Sequence, residues 1–329
     1  MENKTILRIE KLRKYFPVRT GKSLSFLRGK KEYVKAVDDI SFNLNKGEIL
    51  GLVGESGCGK STLSRLILRL IEPTSGSVFI EDTNVSELNR KQLKKIRRKM
   101  QMIFQDPHGS LNPRQTIADT IRETIRIHQL AKDEIQENLL IDKTLEEVGL
   151  KPAESFRDRY PDLLSGGQKQ RVSIGRVLVL KPQFLIADEP VSMLDVSVRI
   201  GILDLLLKLR EKRGISMIFI THDMSTARHI CDRIAIMYLG NIVEMGPTEK
   251  ILAEPRHPYT KALVAAVPVT DPMVKVKELP IKGYIPLTTD EKSSCKFHPR
   301  CLFTKDACRN TKPELIEIET GHFVACSNI

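Results

Sequence analysis

"GLVGESGCGKSTLSRLILRL", residues 51–70, sets four glycines within nine residues and follows them with a lysine, two hydroxyl side chains and a leucine-rich run. Glycine loses more conformational freedom on folding than any other residue, so such a cluster marks a place where backbone must come close to something. Gly54, Glu55, Ser56, Gly57, Cys58, Gly59, Lys60 and Ser61 fit G-x-x-x-x-G-K-[ST]. The run "EILGLV" before them is of strand type, and "STLSRLILRL" after them has helical spacing. Strand, glycine loop, helix is the context that turns this pattern into a mechanism. Loop N–H groups face the phosphates of a nucleotide, and the helix N-terminus adds partial positive charge. Lys60 reaches the β- and γ-phosphates and Ser61 ligates Mg²⁺. The alternative is a plain glycine turn between a strand and a helix.

The 329 residues suggest two or three structural units, and 41% hydrophobic with 29% charged residues is ordinary for a globular chain. No segment approaches the roughly 18 apolar residues that cross a bilayer, and "MENKTILRIEKLRKYF" lacks the apolar core of a signal peptide. A cytosolic protein is expected. The net charge of +12 admits nucleic acid, an anionic membrane surface or nucleotide phosphates as partners. Residues 90–100, "RKQLKKIRRKM", carry seven basic side chains and no acidic one. They read either as a solvated helix face or as a surface for lipid headgroups or an acidic partner. With no Trp and 5% aromatics, a stacking platform for single strands is disfavoured.

Along the chain, residues 5–53 read as short strands, interrupted by a basic, polar insertion at residues 19–33. Helices are expected over residues 60–72, 87–99, 115–150 and 167–180, and in "RIGILDLLLKLREKRG". Ile141, Leu145 and Val148 give the third of these an apolar face. "QMIFQ", "FLIADEP", "SMIFITHD" and "RIAIMYLGNIVEMG" are strand-bearing, and the alternation implies a parallel sheet covered on both faces. From about residue 250 prolines recur, at 255, 258, 268, 280 and 286, marking a C-terminal extension.

"FLIADEP" ends in adjacent carboxylates. Side chains alternate along a strand, so Asp188 and Glu189 point differently, one to hold Mg²⁺ and one to polarise an attacking water. "LLSGGQKQRVSIGRVL" places Leu164, Ser165, Gly166, Gly167 and Gln168 at a second helix start of anion-binding type. One γ-phosphate cannot easily need both helix starts from one subunit. A dimer resolves this, each chain's second site covering the nucleotide of the other.

With these strings the chain resembles an ATP-binding-cassette (ABC) ATPase. "GESGCGKST", Thr62 included, is similar to Walker A, "LSGGQ" to the signature, "FLIADE" to Walker B, and "SMLD", ending in Asp195, to the D-loop. The resemblance implies that Gln105 in "MIFQDP" is the Q-loop glutamine, which helps hold Mg²⁺ with Ser61 and Asp188. It implies that His222 in "ITHD" is the switch histidine, and that Glu189, His222 and Gln105 are catalytic. It also implies an aromatic that stacks on adenine, where "RKYFPV" offers Tyr15 or Phe16, Phe16 by its register after Lys14. Met193 and the "IGRVLVL" helix depart from common family residues without removing a charge or a phosphate ligand. The fold implied is α/β: a P-loop NTPase (RecA-like) core with an N-terminal antiparallel β subdomain, an inserted α-helical subdomain at about residues 106–165, and a cysteine-containing C-terminal extension. The ATPase domain is expected at residues 1–250 and the extension at 251–329.

No sustained heptads mark a repair-type relative, and one cassette per chain argues against a translation-type one. "EPRHPYTKALVAAVP" and "CKFHPRCLFTKDAC…HFVAC" resemble the tail of oligopeptide/dipeptide importer ATPases. Four clustered thiols in a cytosolic chain suggest metal, and Cys295, Cys301, Cys308 and Cys326 lack the short C-x2–4-C pairs that zinc prefers. A [4Fe–4S] cluster takes four thiolates, and the resemblance implies one; zinc and unmetallated thiols are the alternatives. It further implies a second similar ATPase subunit, identical or not, two membrane permease subunits and an extracytoplasmic solute-binding protein. The expected place is the cytoplasmic face of the cell membrane, with coupling to the permeases through "DPHGSLNPRQT". Import of nickel chelates or another small solute is the alternative within the family. A non-transport ATPase acting on nucleic acid is the alternative outside transport, and no nucleic acid is expected on the first reading.

Overall fold

Phe184–Asp188 is buried at all five positions, so it needs backbone partners on both sides. In the computed structural model it pairs in parallel with Met100–Ile103 (Met100 opposite Phe184) and with Ser216–Thr221 (Phe184 opposite Ser216). The structure describes residues 4–18, 32–267, 280–284 and 294–329. Most of the insertion expected at residues 19–33 lies outside these, as do Pro268 and Pro286. The chain divides into two compact units.

One unit comprises Met1–Ile6, Asn45–Ile49 and Leu88–Ile220. It holds the three parallel strands and the helices Arg90–Arg97, Ile117–Ile127, Glu134–Glu147, Gly166–Leu178 and Val196–Arg213. The expected apolar face is there: Ile141, Leu145 and Val148 are fully buried. The expected single helix over 115–150 is two. Gln129 takes a left-handed φ of 52° and closes the first, and Asp133 caps the second by accepting from the Gln136 N–H at 2.8 Å. Arg90–Arg97 is capped by Asn89 and Gln92 and buries only Leu93, leaving Lys91, Lys94 and Lys95 exposed. Gly166–Leu178 and Val196–Arg213 pack closely: a Cβ on Gly167 would lie 2.2 Å from Val198 Cγ1.

The other unit comprises Leu7–Leu44, Leu50–Glu87 and Thr221–Ile329. Its antiparallel sheet runs Tyr33–Asn45, Thr5–Pro17, Ser75–Ile80, Thr83–Asn84, with Leu7 opposite Ile80. The first two strands are thirteen residues each, longer than the short strands expected. Its second group of strands carries Ile49–Val53, parallel to Arg233–Tyr238 (Leu50 opposite Arg233). Arg233–Tyr238 turns back into Asn241–Pro247 through Leu239 (φ 41°) and Gly240 (φ 84°), a tight turn with both central residues left-handed. Two tail strands complete the order: His322–Val324 pairs with Asn241–Pro247, and Ile316–Glu319 pairs with His322–Val324. Tyr238, Tyr259 and Phe297, all fully buried, form a ring cluster with centroids 4.7–5.4 Å apart. The tail is thereby packed into this unit's core.

Candidate functional site

The fully buried strand Ile49–Val53 delivers the glycine loop, and helix Lys60–Ile67 leaves it. Each glycine has its own reason. A Cβ on Gly54 would meet the Met237 carbonyl at 2.3 Å; on Gly59, at φ 111°, it would meet the Ala36 carbonyl at 2.1 Å. Gly57, at φ 79°, faces open space, leaving room for a phosphate to meet bare backbone. Gly59 caps the helix without a side-chain bond, and no acidic residue occupies the first turn, so nothing there competes with an anion. Lys60 Nζ, nearly buried, donates to the carbonyls of Gly54 (2.6 Å) and Glu55 (3.0 Å). Ser61 is exposed beside it, and burial pushes the Cys58 thiol up, keeping it neutral.

The two aromatic candidates differ. Tyr15 donates its hydroxyl to Asp38 Oδ1 at 2.6 Å, and burial and that bond push its phenol up to about 12. Phe16 is exposed, with the Lys14 ammonium 5.1 Å from its ring centroid. His222 is exposed on the turn after Ser216–Thr221. There Asp223 donates its N–H to Thr221 Oγ1 and caps Met224–Ile230.

In the other unit Asp188 is buried at the strand end, while Glu189 steps out of the strand at φ 45°. A left-handed glutamate is strained by roughly 1–3 kcal/mol and needs holding. Its N–H donates to the Ile220 carbonyl (3.0 Å), and its own carbonyl accepts from the N–H and hydroxyl of Ser192. Its carboxylate accepts from Gln105 Nε2 at 3.3 Å. Gln105 and Glu189 are thereby brought together. Ser165 caps Gly166–Leu178 in a reciprocal pair of bonds with Gln168, Leu164 is buried, and Gly166 lies 3.4 Å (as a Cβ) from Leu194, one residue before Asp195. The start of helix Gly166–Leu178 and the segment leading to Asp195 therefore lie side by side. Around them Leu163, Met193, Val196 and Ile200 are exposed apolar side chains.

The iron–sulfur expectation is corrected. Among the described residues no group of three or more His, Cys, Asp or Glu side chains is placed to hold a metal ion, and Cys295, Cys301, Cys308 and Cys326 are all described. Cys301 Sγ accepts the Phe303 N–H, Cys308 is buried, and the Cys295 N–H donates to the Cys308 carbonyl. Burial pushes the Cys295 thiol up to about 11 and the Cys326 thiol upward too. Spacing counted ligands without showing where the sulfurs go.

Sequence reasoning missed the neighbours of the loop. Arg300, 5% exposed, forks onto the Glu55 carboxylate at 2.7 and 3.1 Å, and the Glu55 N–H donates to the Tyr259 hydroxyl at 3.0 Å. Nothing local signals a contact across 245 residues.

Residues 37–192 match the ABC transporter family profile, and residues 243–308 match that of the oligopeptide/dipeptide transporter C-terminal region. The chain is 43% identical over 325 residues to the oligopeptide transport ATP-binding protein AppF of Bacillus subtilis, covering 98% of this chain and 97% of that one. It is 42% identical over 330 residues to the dipeptide transport ATP-binding protein DppF of Haemophilus influenzae, covering 100% and 98%. A solved dimeric ATP-binding cassette in a post-hydrolysis state, bound to ADP and Pi, superposes with a TM-score of 0.63 at 30% identity, covering 74% of this chain and 98% of that one. A glycine loop shaped for phosphates, a strained glutamate facing a glutamine, and identity that runs the length of these relatives converge on one assignment: the chain belongs to the ABC transporter family, among its ATP-binding subunits.

Proposed function

We propose that the chain binds and hydrolyses ATP to drive import of oligopeptides or dipeptides through separate membrane subunits. The observation that carries the peptide reading is end-to-end similarity to proteins named for oligopeptide and dipeptide transport, tail included. Among the described residues no helix is long and apolar enough to cross a membrane, and the channel is proposed to belong to other chains. The seat proposed is the cytoplasmic face of the cell membrane, as an ATPase domain at 1–250 and an extension at 251–329. The partners are a second similar ATPase subunit, two permease subunits and an extracytoplasmic binding protein.

The residues fit Mg-ATP, which supplies the phosphoanhydride to be cleaved. Phe16 stacks on the base while Tyr15 serves Asp38. Residues 54–62 hold the phosphates, with Lys60 turning from its carbonyls to them. Ser61 on the one unit, and Gln105 and Asp188 on the other, are the residues that would hold Mg²⁺. Glu189 accepts a proton from water positioned with Gln105, and His222 contacts the γ-phosphate. The loop after Gln105 is fastened to the signature helix: Arg176 Nη1 donates to the Ser110 carbonyl at 2.7 Å, and the Ser110 and Ser173 hydroxyls are 2.9 Å apart. A push on residues 106–116 from a permease would therefore reach residues 164–168.

Those residues, with Asp195, act on the partner subunit's nucleotide. In a transporter assembled with one disrupted signature (Ser165→Arg), the site lost is expected to be the one built on the partner's loop. Loss of trapped labelled nucleotide confined to the same chain's own loop would contradict the sandwich. For the function as a whole, the complex reconstituted in vesicles should take up a labelled oligopeptide only with ATP. Uptake of a nickel chelate but no peptide, or co-purification with nucleic acid in place of permeases, would overturn it.

A further inference from the structure

Asp38 and Glu55 stand at the two ends of the proposed nucleotide site within one unit, Asp38 under Tyr15 beside Phe16, and Glu55 inside the phosphate loop. The C-terminal segment meets both with cations. Arg300 makes the two-pronged bond to Glu55 described above. Lys296 Nζ lies 3.1 Å from Asp38 Oδ2 and donates to the Leu239 carbonyl at 2.7 Å, and Lys312 reaches Asp38 Oδ2 at 3.2 Å. Leu239 belongs to the tight turn whose Gly240 N–H donates to the Cys58 carbonyl at 2.8 Å and whose Gly240 carbonyl accepts the Asp38 N–H. Lys60, which must address the phosphates, rests on the Glu55 carbonyl.

These contacts are placed where they carry energy. Arg300 is 5% exposed and Asp38 is 7% exposed, so water screens them little. A planar guanidinium on a carboxylate fixes orientation as well as distance. The neighbouring lysines hold the Asp38 carboxyl well below the usual carboxylate range despite its burial.

We propose that Arg300, Lys296 and Lys312 are positioning residues for ATP: the tail holds the phosphate loop and the base-stacking strand in their binding geometry. This rests on the ATP site proposed above. The tail then has a task that needs no metal, which is to set affinity for the nucleotide from outside the motifs that touch it.

The test uses full-length chain and its assembled transporter. Mg-ATP binding by equilibrium dialysis and ATPase KM and kcat are measured for the parent, Arg300→Gln, Arg300→Lys, Glu55→Gln, and the double variant Glu55→Gln/Arg300→Gln. Arg300→Gln should raise Kd and KM about tenfold, since one buried forked ion pair is worth at least that factor, and change kcat less than about twofold. Arg300→Lys should fall between, keeping charge without the fork. The double variant should match either single variant, because each breaks the same link. A purely structural tail would lower the melting temperature and the active fraction but leave KM unchanged. If Arg300→Gln does not fold, Glu55→Gln breaks the pair from the loop side. Unchanged KM in the Gln variant that folds, with the parent binding ATP, overturns this inference alone. A parent that binds no ATP overturns the nucleotide site with it.

Discussion

Glu189→Gln is expected to cut ATP turnover in the assembled transporter by about a hundredfold or more, the range a positioned general base supplies, while ATP binding persists. The amide keeps the shape of the side chain and its bond partner Gln105, 3.3 Å away, but cannot take a proton from water. The strained backbone at φ 45° is held by Ile220 and Ser192 through main-chain groups, so the substitution leaves it in place. Single-turnover assays with labelled ATP separate the two effects. Turnover at the parent rate would show that another group activates the water.

Lys60→Ala is expected to lose binding itself. Bonds from a charged donor contribute about 1.5–3 kcal/mol each, so removing the ammonium should weaken ATP by roughly ten- to a hundredfold or more. The loop also suffers without nucleotide, since the carbonyls of Gly54 and Glu55 lose their donor at 2.6 and 3.0 Å. Equilibrium dialysis checks the affinity, and circular dichroism checks that the fold persists. Parent-like affinity would move the phosphate site away from residues 54–62.

What could be read from the sequence was what local chemistry dictates. Gly54, Gly57 and Gly59 announce a close backbone approach wherever they occur, and the steric conflicts around Gly54 and Gly59 are why no other residue serves. The buried face of Ile141, Leu145 and Val148 follows from period alone. The break between Ile127 and Glu134 is hidden because the turn uses Gln129, which carries no turn signal. The tail was misjudged for a different reason. Four cysteines at plausible spacings state a ligand count, whereas burial and backbone direction decide whether four sulfurs converge. The partnership of Arg300 with Glu55 is tertiary and leaves no trace in either neighbourhood.

The outermost tail strand has one more consequence. Asn241–Pro247 carries Ile242, Val243 and Met245, all buried, and its free side is occupied by His322–Val324 and then Ile316–Glu319. The latter is four residues long and bears Glu317 and Glu319, a short, charged rim of the kind that discourages stray pairing between molecules. A chain shortened before residue 294 would present Asn241–Pro247 bare, an apolar ribbon with unsatisfied N–H and C=O groups. Such a product should sediment as soluble aggregates or settle into inclusion bodies, so colloidal behaviour would fail alongside nucleotide affinity when this tail is trimmed.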